Sequence, residues 1–117
     1  LNIPLIKLVL QPIIENAIYH GLKYKESKGL LQVKGFMEDG NAVLQVIDNG
    51  VGMDEETLSH IYDKHKVNYH SNGVGVYNVQ KRLKLYYGEN YGIAYESEKG
   101  VGTTATITIP GIQEESI

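Results

Sequence analysis

The sequence contains no cysteine. That excludes disulfides, thiolate metal sites and thiol nucleophiles, and it suits a reducing compartment. Long apolar runs are missing too. The longest, PLIKLVLQPII, is broken by Lys7 and Gln11 and is far too short to span a bilayer. No signal-peptide pattern is present. Basic residues do not dominate: 11 Lys and Arg stand against 14 Asp and Glu, for a formal net charge of −3. Binding to nucleic acid through phosphate neutralisation is therefore disfavoured, and no nucleic-acid partner is expected. An initiating methionine is also lacking. The chain enters a structured-looking segment at Leu1 and reads as a piece of a longer protein.

What is present is ordinary for a globular domain. With 117 residues, 42% hydrophobic and 21% charged, the chain fits one domain able to bury a proper core. Residues 1–112 read as that domain and 113–117 as a disordered tail.

Apolar Leu5, Leu8, Val9, Ile13, Ile14, Ala17 and Ile18 recur at helical spacing, predicting a helix over 5–22. Pro4 starts it well, Gly21 stops it, and Pro12 should kink it. LLQVKGFM and AVLQVID alternate as strands do, and EDGN between them carries the Asp-Gly signal of a tight turn. Residues 54–72 are polar and read as a mobile lid with one short helix from Asp54 to about Asp63. A second helix is predicted over 74–87, with Val76, Val79, Leu83 and Tyr86 as its apolar stripe. YGIAYES and TTATITIP close the chain as a strand pair turned at EKGVG. This order predicts an α+β fold, with helices on one face of a mixed, mostly antiparallel sheet.

Three features could carry chemistry. Asn16 lies at the edge of the first helix's apolar arc, near Val9, Ile13 and His20. It is either a satisfied amide or an oxygen ligand for a hard cation such as Mg²⁺. Asp48 ends a strand after apolar Val46 and Ile47. It either makes an Asx turn or accepts a hydrogen bond from a ligand's amino group, with Gly50 and Gly52 letting a flat group approach the main chain. Gly73 and Gly75 open the second helix, where free amide groups and the helix dipole favour phosphate. The segment lacks the ending of a Walker loop, and Asn78 stands where G-x-G-x-x-G has its third glycine. His60, His65 and His70, spaced five apart, fit no zinc pattern. Tyr86, Tyr87, Tyr91 and Tyr95 flank element ends where core packing explains them.

The order of these features resembles the ATP-binding fold shared by sensor histidine kinases, DNA gyrase, Hsp90-type chaperones and MutL. QPIIENAIYHG matches the N box, DNGVGM the G1 box and GVGVYNV the G2 box, and Gly102-Thr103 matches the closing pair. The likeness runs from about Pro4 to Pro110. It is nearest to sensor kinases of the YesM/LytS type, on LQPIIENAIYHGLK, GVGVYNVQKRLKLYYG and GVGTTATITIP. The resemblance implies a two-layer α/β sandwich of the Bergerat type, with ATP and Mg²⁺ as cofactors.

Carried over by position, the resemblance makes Asn16 the Mg²⁺ ligand against the nucleotide phosphates, with His20 close by. Asp48 would accept from the adenine amino group, helped by Thr103 or Thr104. Gly50, Gly52 and Met53 would shape the adenine pocket. Gly73, Val74, Gly75 and Val76 would form the phosphate end beneath the lid. The implied reaction passes the γ-phosphoryl group to a histidine on an upstream helical dimerisation domain, and from there to a response regulator. The implied parent is a homodimer in the membrane, with this domain on its cytoplasmic side. None of the four histidines here resembles the phosphoacceptor.

Two positions depart from the family. Where its ATPase branch carries a water-activating Glu four residues before the Asn, this chain has Pro12, and Glu15 is about 100° around the helix from Asn16. Tyr19 replaces the Lys or Arg common three residues after the Asn. The competing readings are a nucleotide-holding or docking module that transfers nothing, an independent ATPase, and a Ser/Thr kinase.

Overall fold

The Asp39-Gly40 pair turns the chain with both residues in the left-handed region, at φ of 54° and 81°. That is the two-residue hairpin turn whose twist matches the strands on either side. It joins β1 (Leu31–Glu38) to β2 (Asn41–Asp48). In this computed structural model, residues 3–18, 28–59 and 73–111 are described. The other elements are α1 (Ile3–Asn16), α2 (Glu55–Ser59), α3 (Gly73–Tyr87), β3 (Gly92–Glu98) and β4 (Gly102–Pro110). Among the described residues, no helix is long and apolar enough to cross a membrane.

The sheet has the order β1-β2-β4-β3, and all three pairings are antiparallel. Alternation along paired strands sorts the side chains onto two faces. Ala42, Val46, Ala105, Ile107, Ile109 and Ile93 fall on one face and join Val9, Ile13 and Ala17 of α1 and Val76, Val79 and Leu83 of α3 in a single core. The result is two layers, helices over one face of the sheet. Helix α1 runs through Pro12 and widens into a π turn at Ala17–Ile18; the expected continuation to residue 22 lies outside the described residues.

The predicted stripe of α3 is corrected at its end. Tyr87 packs against the core, while Tyr86 is 73% exposed. From Leu83, the step that keeps to the buried face is four residues, not three. Gln80 and Lys84, beside the stripe, bind the chain that follows the helix. The Gln80 amide accepts from Ile93 N–H at 2.7 Å and donates to its carbonyl at 3.2 Å. Lys84 Nζ donates to the Glu89 and Tyr91 carbonyls at 2.8 and 3.0 Å. Strand β1 is an edge strand exposed from Gln32 onward on both faces.

Because Ile107 is fully buried between the layers, Ile107→Ala should destabilise the chain by about 2–5 kcal/mol. Val33→Ala on the exposed edge should change stability by less than about 1 kcal/mol. Urea unfolding midpoints of the two variants check this contrast.

Candidate functional site

The strand registers bring three polar residues into one row at an end of the core face. Asp48 on β2 pairs with Thr103 on β4, which pairs with Ser97 on β3. The core residues alternate along the same strands, so this row faces the helical layer. Asp48 is 6% exposed. Its Oδ1 accepts the Gly50 N–H at 2.8 Å. Burial pushes the carboxyl above its ordinary range, and backbone N–H groups of Gly50 and Thr103 partly offset that. A carboxylate can accept about four hydrogen bonds, so two backbone donors leave Asp48 with acceptor capacity.

Thr103 and Thr104 are no longer equivalent. Thr103 shares Asp48's row, whereas Thr104 pairs with Ile47 and Glu96 and stands on the opposite face. The help expected from Thr104 is therefore corrected: alternation turns it away from Asp48.

The loop after β2 is fastened to the β3–β4 turn. Met53 N–H donates to Ser97 Oγ at 2.8 Å, and Gly100 N–H donates to the Val51 carbonyl at 2.7 Å. Ser97 Oγ also donates to the Gly102 carbonyl at 3.0 Å and lies 2.7 Å from Thr103 Oγ1. On the other side of the site, Leu30 N–H donates to Asn49 Oδ1 at 2.8 Å. Asp54 caps α2 by accepting the Thr57 N–H at 2.8 Å, and that bond holds its carboxyl below the usual range.

Two glycines make this closeness possible. Gly52 has φ of 71°, and a Cβ there would collide with the Glu98 carbonyl oxygen. Gly102 has φ of 148°, and a Cβ there would collide with the Asp48 carbonyl oxygen. The clearance at Gly52 thus serves the protein's own β3–β4 turn. Gly50 is buried beside Asp48 as the donor described above, and Met53 is half-buried against the core.

Asn16, near the end of α1, is 5% exposed, and its Oδ1 is buried without a hydrogen-bond partner. An orphaned amide oxygen of this kind costs about 1–3 kcal/mol. It is also the hard neutral donor that Mg²⁺ accepts, so the residue fits that ion. Glu15 is exposed and accepts from Gln11 Nε2 at 3.2 Å along the outside of the helix. Gly73, Val74 and Gly75 form the first turn of α3, where backbone N–H groups lack helical partners. Val76 is wholly buried in the core, so its side chain packs between the layers and does not face a ligand. His20, Tyr19, the three lid histidines and residues 60–72 lie outside the described residues.

Ser97 is the residue that sequence reading missed. A serine inside YGIAYES carries no motif. Counting alternation forward from Ile93 and Tyr95 would have placed it on the core face, but its neighbours depend on the register of three strands.

The chain matches the family described as histidine kinase-, DNA gyrase B-, and HSP90-like ATPase over residues 2–113. It is 35% identical over 104 residues to the sensor histidine kinase YesM of Bacillus subtilis, covering 89% of this chain and 17% of the relative. It is 36% identical over 92 residues to the sensor protein LytS of Oceanobacillus iheyensis, covering 77% and 16%. The chain therefore spans about a sixth of the length of these relatives. Among solved structures, the histidine kinase domain of the Erythrobacter litoralis EL346 blue-light activated histidine kinase superposes with a TM-score of 0.63 at 22% identity, over 90% of this chain and 42% of that one. At that identity the likeness speaks for the fold, whose two layers agree. With the family model covering nearly all of it and sensor kinases matching it at 35 and 36% identity, this chain belongs to the histidine kinase-, DNA gyrase B- and HSP90-like ATPase family.

Proposed function

We propose that this domain binds Mg²⁺-ATP and donates the γ-phosphoryl group to a histidine on an upstream dimerisation segment of a two-component sensor kinase. The observation that carries the reading is the buried Asp48 with acceptor capacity left, beside Thr103 at the end of the sheet. An adenine amino group is a donor of the right kind for that position. Gly50, Gly52 and Met53 form the wall beside it, and the first turn of α3 offers N–H groups to the phosphates. Asn16 Oδ1 would hold Mg²⁺, with phosphate and water oxygens completing its shell. When bound, that ion neutralises charge on the triphosphate.

The chain's own residues orient the nucleotide and leave the γ-phosphorus open to an incoming imidazole. The imidazole nitrogen attacks phosphorus as the bond to the β,γ-bridging oxygen breaks. ADP leaves with that electron pair, and the imidazole proton passes to solvent. Independent ATP hydrolysis is disfavoured because Glu15 is engaged by Gln11 on the outside of α1 and Pro12 offers no base. The parent is a membrane-anchored homodimer whose phosphohistidine supplies a response regulator, with this domain on the cytoplasmic side. Supplying labelled ATP to the full-length protein tests the transfer: label on histidine supports it, and nucleotide binding without label favours a holding module.

Three outcomes are expected at the site. Asp48→Asn should weaken ATP binding by about 1.5–3 kcal/mol, as measured by titration calorimetry, because a charge-assisted bond is lost. Asn16→Ala should abolish histidine phosphorylation while leaving the fold intact, since the buried oxygen removed has no partner to lose and its desolvation cost goes with it. Thermal melts alongside phosphorylation assays read both halves.

The third outcome concerns pH. Folding raises the Asp48 value above its ordinary 3.8. Asp48 therefore adds stability to the unliganded fold below pH 3.8, and that contribution is lost as pH rises through the folded value. The ionised form accepts an amino group's N–H more strongly than the protonated one, so ATP affinity should fall as pH drops through the raised value. The Asp48→Asn variant should show a flatter profile, and calorimetry across that range compares the two.

A further inference from the structure

The Ser97 hydroxyl makes three contacts: it accepts from Met53 N–H, donates to the Gly102 carbonyl, and meets Thr103 Oγ1 at 2.7 Å. A serine hydroxyl has one proton and two lone pairs. A carbonyl oxygen cannot donate, so the Gly102 bond takes that proton. The Met53 N–H takes one lone pair. The contact with Thr103 must then be a bond that Thr103 donates. Its single hydroxyl proton is thereby engaged, and Thr103 Oγ1 is left as an acceptor only. Directly across the register stands Asp48, which when ionised also only accepts.

A carboxylate alone does not tell a 6-amino purine from a 6-oxo purine. It can take an N6–H of adenine or the N1–H of hypoxanthine or guanine. The second group in the row decides. Two acceptors suit an amino group with two N–H bonds, whereas a 6-oxo group would set lone pair against lone pair. Relief would require Thr103 to turn over and break its bond to Ser97.

We propose that Ser97 is a positioning residue that fixes the Thr103 hydroxyl as an acceptor and so selects 6-amino over 6-oxo purine nucleotides. The inference rests on the nucleotide-binding reading above and adds to it a residue that never touches the base.

Equilibrium binding of ATP and inosine triphosphate, in magnesium buffer, to the wild-type chain, Ser97→Ala and Ser97→Thr tests it. The wild type should prefer ATP. Ser97→Ala frees the Thr103 proton and should narrow the preference about tenfold, and Ser97→Thr should retain it. A merely structural role would lower both affinities together, and an unchanged ratio in folded Ser97→Ala overturns the proposal. Should a thermal melt show Ser97→Ala unfolded, Thr103→Val reads the same assignment. It should weaken ATP, spare inosine triphosphate and narrow the ratio, while a ratio that stays or widens overturns it. A wild type that binds ATP without preference overturns the Ser97 role alone; one that binds neither nucleotide overturns the nucleotide reading with it.

Discussion

A carboxylate taken out of water at the end of a strand needs donors close at hand, and the chain around Asp48 is arranged to supply them. Backbone N–H groups of Gly50 and Thr103 meet it, because the chain bends at once after β2 and because β4 begins beside it. Both conditions demand close backbone approach. Gly52 and Gly102 meet that demand, since a side chain at either would strike a carbonyl oxygen of a neighbouring segment. Gly52 and Gly102 are thus explained first by the chain's contact with itself. The polar row of Asp48, Thr103 and Ser97 that results stands at one end of the apolar core.

The core in turn fixes that row. Ile107 and Ala105 lead along β4 to Thr103, while Val46 leads along β2 to Asp48, all on the face closed by α1 and α3. The same layer brings Asn16 inside with a bare oxygen. Glu15, one residue before it, stays outside with Gln11. A turn of about 100° per residue separates an oxygen suited to a cation from a carboxylate left in solvent. Phosphoryl transfer to an external acceptor suits this division better than activation of water does.

Much of this was legible in the sequence, for identifiable reasons. The Asp39-Gly40 hairpin was readable because few residues accept consecutive left-handed conformations. The two long helices were readable because their apolar residues recur at helical spacing, and the three boxes singled out Asn16, Asp48, Gly73 and Gly75. What escaped depended on neighbours distant in the chain. Alternation cannot tell an edge strand from a central one, so the exposure of β1 was not visible. It also leaves Thr103 and Thr104 equal until the register with Asp48 is known. Tyr86 and Tyr87 exchanged places over a single residue of helical phase. Ser97 had no motif, and its importance arises only where three strands and a loop meet.

The central claim is that the Asp48–Thr103 row receives the adenine amino group. A crystal structure of the chain with magnesium and a non-hydrolysable ATP analogue tests it most directly. The account predicts the amino nitrogen within hydrogen-bond distance of the Asp48 carboxylate, on the sheet face that carries the helices. A base bound on the opposite face, beside Thr104, or one whose amino group meets solvent instead of Asp48, would contradict it.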